Sequence, residues 1–137
     1  MVETVQSWEL PIAREDDIVL VRRKARALAQ ERGFDPFATA ALTTAASELA
    51  RNAWVHAGGG KALIEELTDG YRTGIRLTFV DEGPGIADVD RVMQGGFSTA
   101  RSLGLGVSGT RRLVEEFDLE TQPGKGTKVV ICKWTRF

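Results

Sequence analysis

The run Ile75-Arg76-Leu77-Thr78-Phe79-Val80 is rich in β-branched and aromatic residues, alternates at its start, and ends on a carboxylate, Asp81. What lies beside this strand constrains the fold. Upstream, Ala62, Ile64 and Leu67 mark a second strand, separated from the first by the turn signal Asp69-Gly70. Strands adjacent in sequence favour antiparallel pairing, and a doubly wound sheet would need regular strand–helix alternation, which is absent. Val5 to Pro11 alternates weakly and reads as an opening strand. Asp16 or Asp17 then caps a helix carrying Ile18, Val19, Val21, Ala25 and Leu28, which ends near Gly33. Asp35-Pro36 starts a second helix, with Pro at its first position; it runs through Ala41, Thr44 and Glu48 to about His56, where Gly58-Gly59-Gly60 stops it.

From Gly83 to Gly104 the text is irregular, with one short helix around Val89 to Met93. Val107 to Phe117 reads as helix, and Leu119–Gln122 and Thr127–Trp134 as a closing hairpin around Pro123-Gly124-Lys125-Gly126. The expected architecture is one α/β domain over residues 1–137: a two-layer α/β sandwich with helices packed on one face of a mixed β-sheet.

Composition narrows the function classes. The 137 residues are 42% apolar and 27% charged, as in a globular domain with a real core. No run approaches the roughly 20 apolar residues of a membrane span, and the N-terminus lacks the basic and apolar regions of a signal peptide. A single cysteine, Cys132, fits a reducing cytoplasm and reads as strand filler. A net charge of −1 argues against nucleic acid as the main partner. The basic run Arg22-Arg23-Lys24-Ala25-Arg26 reads as a solvated helix face, with a docking surface for an acidic protein as the alternative.

Glu48 and Asn52 stand four residues apart, so a helix sets them on one face, close enough to share a ligand. Mg²⁺ takes few protein ligands and fills its shell with water and phosphate oxygens; the Asn52 amide oxygen suits it. Glu48, one turn back, can take the proton of a hydroxyl or water approaching a terminal phosphate. Alone, the pair also fits a helix surface. Asp81, when ionised, only accepts hydrogen bonds, so it can take the N6 amino proton of adenine and would repel the O6 of guanine. Gly83 and Gly85 let the backbone approach a flat ring, although Asp-x-Gly alone also fits a plain turn.

Further on, Gly104 and Gly106 precede a helix, whose N-terminal N–H groups can cradle phosphate, supplemented by Ser98, Thr99 and Arg101. The spacing Gly104-x-Gly106-x-x-Gly109 matches a dinucleotide fingerprint, but it follows a polar loop and not a strand, so that reading is rejected. His56, the one histidine, cannot build a zinc site; it either lines the phosphate side of the pocket or is a hydrogen-bonded helix-end residue.

In order, Glu48-x-x-x-Asn52, Asp81-x-Gly83-x-Gly85, Gly104-x-Gly106 and Gly124-x-Gly126-Thr127 resemble the N-box and glycine boxes of the GHKL ATPase superfamily. Ala46-Ser47-Glu48-Leu49-Ala50-Arg51-Asn52 and Gly96-Phe97-Ser98-Thr99 make the chain similar to the small bacterial serine/threonine kinases of partner-switching, stressosome-type systems. The resemblance spans residue 8 to the end and implies a Bergerat-type ATP-binding fold. It implies ATP and Mg²⁺ as cofactors, Asn52 as metal ligand, Glu48 as catalytic base and Asp81 as adenine reader. Thr127 would help bind adenine through water, and residues 86 to 103 would form a lid. It further implies a STAS-domain protein as phosphoacceptor and a protein phosphatase as a second partner. The alternatives are an anti-sigma kinase that sequesters a sigma factor and a non-catalytic ATP-binding module.

Overall fold

The computed structural model describes residues 1–83, 109–121 and 123–136. Its elements are β1 (Glu3–Ile12), α1 (Asp16–Glu31), α2 (Pro36–Ala57), β2 (Gly60–Thr68), β3 (Thr73–Asp81), β4 (Glu116–Thr121) and β5 (Thr127–Trp134), with residues 109–113 helical before β4. The sheet runs β1-β2-β3-β5-β4, and both long helices pack on one face of it. The two-layer α/β sandwich is therefore as expected. Its sheet, expected to be mixed, is antiparallel at every described pairing. Hairpins make β2–β3 and β4–β5, and β5 then enters beside β3 in the opposite sense, leaving β4 at the edge.

α2 starts and stops as its sequence dictates. The Asp35 carboxylate accepts the Ala38 N–H at 2.7 Å, and Pro36 opens the first turn. At the other end Gly58 adopts φ +74°, its N–H bonding to the Trp54 carbonyl while that of Gly59 bonds to Ala53, which closes the helix in a Schellman motif. α1 departs from expectation. Neither Asp16 nor Asp17 is its N-cap, which is Glu15 without a side-chain bond. Asp17 is buried in the first turn, and its Oδ2 accepts the N–H groups of Ala13 and Arg14 at 2.8 and 3.0 Å, so it ties the incoming chain to the helix.

The core fills the space between helices and sheet. Ile18, Val21, Ala25 and Leu28 come from α1, Leu42, Ala45, Leu49 and Ala53 from α2, and Ile64, Ile75, Leu77, Phe79, Val129 and Ile131 from the strands. Each large apolar side chain taken from water contributes about 1.5–3 kcal/mol. Trp8 and Trp54 pack against this core, half-buried. The basic run is a solvated face at Arg22, Arg23 and Arg26, whereas Lys24 Nζ lies 4.0 Å above the Trp8 ring.

Facing away from the helices, Arg76 meets Glu65 directly across β2–β3, with Nε–Oε1 at 2.8 Å and Nη2–Oε2 at 3.0 Å. The hydrogen bond from Arg76 holds the Glu65 carboxyl below the usual range. Cys132 is buried, and burial pushes its thiol up to about 12, which keeps it an inert core group. Phe117, expected in a helix, lies in β4, where residues 116–121 alternate exposed and half-buried: a period of two prevails once the strand finds β5.

Asp35→Ala is expected to lower the unfolding free energy by about 1 kcal/mol. Urea denaturation followed by circular dichroism checks this; an unchanged midpoint would mean that Pro36 and core burial alone fix the start of α2.

Candidate functional site

The helix α2 supplies the first half of the site. Glu48 is half-buried; Asn52, one turn on, is only 7% exposed, and His56 follows another turn later, half-buried. Asn52 has both side-chain atoms, Oδ1 and Nδ2, buried without a hydrogen-bond partner among the described residues, and His56 Nε2 is in the same condition. A buried amide left unpaired costs about 1–3 kcal/mol, so these groups mark a place where a polar ligand would find ready partners.

The sheet supplies the second half. Asp81 ends β3 opposite Thr127 of β5, and Thr127 lies opposite Thr121 of β4, so the three form a row on the helix-facing side of the sheet. Asp81 Oδ1 accepts the Gly83 N–H at 3.0 Å, and its carboxylate also takes the backbone N–H of Thr127. Burial raises the Asp81 pKa above its ordinary value; the two backbone donors and the nearby His56 charge oppose that shift without cancelling it. His56 stands in the last turn of α2, the helix-end position the sequence suggested as one alternative, near enough for its charge to act on Asp81.

Two glycines let these halves meet. A Cβ at Gly83 would run into Ala57, whose Cα would lie 2.7 Å away, so only a glycine allows the turn after Asp81 to rest on the end of α2. At Gly126, with φ +84°, a Cβ would run into the Asp81 carbonyl oxygen and come within 2.9 Å of Glu82 Cα. The β4–β5 turn is thereby pressed against the end of β3. Beside it a hollow of about 260 Å³ is lined by Asp81, Thr121, Thr127, Lys125 and Lys128 among others. A larger hollow of about 790 Å³ lies at the other end of the sheet around Phe34, Phe37 and Trp134. None of the candidate residues lines it, so chemistry and not volume selects the smaller one.

Of the residues singled out in the sequence, the fold thus places Glu48, Asn52 and His56 along α2 and joins Asp81, Gly83 and Thr127 at the facing end of the sheet. Gly85, Ser98, Thr99, Arg101, Gly104 and Gly106 lie outside the described residues. Thr121 was not anticipated. Its sequence signal is slight: two threonines flank the turn at 123–126, and register alone sets them face to face.

The family of histidine kinase-, DNA gyrase B-, and HSP90-like ATPases matches residues 38–136, from the first turn of α2 to just beyond β5. The chain belongs to this ATPase family. ATP is accordingly the nucleotide it uses. The serine/threonine-protein kinase RsbT of Bacillus subtilis (strain 168) is 44% identical over 125 residues, 91% of this chain and 94% of that protein. Anti-sigma F factors of Thermoanaerobacter sp. (strain X514) and Caldanaerobacter subterraneus subsp. tengcongensis are 32% and 33% identical over 98 and 97 residues, 68% of the chain and 68% of each relative. The family match takes in both halves of the site, and the RsbT match extends over nearly the whole chain.

The pKa direction at Asp81 gives a signed expectation. A raised folded-state pKa means that the folded protein holds the proton more tightly than the unfolded chain. The associated stability is present at low pH and is lost as pH rises through the folded value. The melting temperature of Asp81→Asn, relative to the unsubstituted protein, should therefore climb as pH goes from about 4 to 8. Differential scanning fluorimetry without nucleotide reads this; a difference that falls with pH would reverse the assigned burial effect.

Proposed function

We propose that this ATP-dependent serine/threonine kinase, related to RsbT, transfers the γ-phosphate of Mg·ATP to a hydroxyl on a small STAS-domain protein. We infer further that it binds and activates a protein phosphatase once released from that partner. The observation that carries the reading is the buried, unpartnered Asn52 amide one turn after Glu48, on the helix whose far end abuts the Asp81 turn.

The spacing along α2 suits a nucleotide. From Ala57, which touches Gly83, back to Glu48 is nine residues, on the order of 13 Å at 1.5 Å per residue, comparable to the span from a purine ring to a terminal phosphate. Adenine then belongs at Asp81, which accepts from its N6 amino group, and at Thr127 beside it. The Asn52 amide oxygen is a hard donor of the kind Mg²⁺ accepts, and its lack of a partner among the described residues fits that role. When bound, Mg²⁺ would neutralise the charge that develops on the phosphates during transfer.

Glu48 is placed to orient the acceptor hydroxyl and take its proton as the hydroxyl oxygen bonds to the γ-phosphorus and the bond to the β–γ bridging oxygen breaks, leaving ADP. Ser98, Thr99, Arg101, Gly104 and Gly106 complete the phosphate and lid side in this reading, and Gly85 joins Gly83 at the adenine ring, on the strength of the family resemblance. The likeness to anti-sigma F factors supports a second reading, in which the main output is sequestration of a sigma factor.

Purified kinase, a candidate STAS-domain protein and Mg·[γ-³²P]ATP test the proposal. Glu48→Ala should lower the transfer rate about 10²- to 10⁴-fold with ATP affinity kept. Asn52→Ala should remove the Mg²⁺ dependence of ATP binding in calorimetry. Transfer undiminished by Glu48→Ala would overturn the role of the base. Tight binding of a sigma subunit with no transfer to any STAS protein would favour the second reading.

A further inference from the structure

Thr121 lies across from Thr127 at the turn end of the β4–β5 hairpin, and both line the hollow beside Asp81. Its Oγ1 donates to the Gly126 carbonyl oxygen at 3.1 Å. A hydroxyl carries one proton. The 3.0 Å contact between Thr121 Oγ1 and Thr127 Oγ1 must then be donated by Thr127. Protons therefore point one way along the chain Thr127 → Thr121 → Gly126 carbonyl. The carbonyl at its end has little freedom to swing, since Gly126 is pressed against the backbone of Asp81 and Glu82.

We propose that Thr121 is a positioning residue for base recognition: it holds the Thr127 hydroxyl with its proton turned away, so that Thr127 presents only lone pairs to the nucleotide. This rests on reading Asp81 and Thr127 as the adenine end of the site. Ionised Asp81 is likewise acceptor-only. Two acceptors side by side match the two N–H bonds of an exocyclic 6-amino group, met directly or through water. A 6-oxo purine offers an oxygen at that position and meets two acceptors instead. With Thr121 unable to accept, the Thr127 hydroxyl regains its rotation and can donate, and a 6-oxo base is no longer opposed by both groups. The device thus sharpens the choice of adenine over hypoxanthine or guanine, and the same glycine that lets the hairpin approach β3 supplies the terminal acceptor.

The test measures dissociation constants for ATP and ITP, with Mg²⁺, on the full chain and its variants. Thr121→Val is expected to weaken ATP binding about fivefold, the value of one neutral hydrogen bond, and to shrink the ATP-over-ITP preference by a similar factor. Thr121→Ser, which keeps the hydroxyl, should retain both values. A purely structural role would weaken both nucleotides alike and leave their ratio unchanged, and that result would overturn the proposal. Should Thr121→Val fail to fold, Thr121→Ala reads the same ratio. Asp81→Asn is the companion control. If it keeps full ATP affinity, the adenine-end assignment itself is wrong; if it loses affinity while Thr121→Val keeps the ratio, only the role of Thr121 is wrong.

Discussion

The close approach of Gly126 to the Asp81–Glu82 backbone is the contact on which the arrangement of the site depends. It presses the β4–β5 turn onto the end of β3, and so brings Thr127 and Thr121 into a row with Asp81. Gly83 does the same on the other side, where the turn after Asp81 rests on Ala57 at the end of α2. A side chain at either position would separate the strand end from what it must touch. The carboxylate is thereby fixed from two directions by backbone, with little freedom to rotate. These two glycines are steric requirements first, and their part in nucleotide binding follows from what they allow to come close.

The site also holds groups that the fold alone does not satisfy. Asn52 is buried with both amide atoms unpartnered among the described residues, and Asp81 is pushed toward its neutral form by burial. Several buried polar groups elsewhere find partners: Glu65 is gripped by Arg76 and Thr4, Asp17 by two backbone N–H groups, and Trp134 Nε1 by Glu116, while Glu66 has an ion pair with Arg32. Among the described residues, Asn52 and His56 Nε2 on α2 are left without a hydrogen-bond partner, on the helix whose end rests against the turn after β3. Local rules are broken where a ligand can repair them.

Much of this was legible in the sequence because it is written in short-range chemistry. Asp35-Pro36 and Gly58 mark the ends of α2 through one carboxylate, one fixed φ and one left-handed residue. Asp69-Gly70 marks the hairpin because the Asp69 carboxylate takes the N–H groups of Tyr71 and Arg72, which hold it down at about 2. Glu48, Asn52 and Asp81 were legible as a set, since helical spacing and a strand end place each by itself. The sheet order was not legible: nothing local says that β5 inserts beside β3 and leaves β4 at the edge. Glu116 and Phe117 were drawn into a helix because a short apolar run fits either period until its partner strand is known. Thr121 escaped notice for the same reason, as its meaning comes from register across the hairpin.

That order of strands bears on how the protein is made. β3 is an interior strand, flanked by β2 and β5, yet its second neighbour leaves the ribosome more than forty residues after it. Until residues 127–134 emerge, one edge of β3 has no β5 to pair with, and Asp81 has neither Thr127 nor the Gly126 turn beside it. A nascent chain can assemble β1, both long helices, β2 and β3 early, but it joins Asp81 to its β5 partners only with the β4–β5 hairpin. The Asp81 end of the candidate site is thus completed together with the closing of the sheet. A chain cut short before that hairpin would leave the candidate site incomplete and expose an aggregation-prone edge at the same stroke.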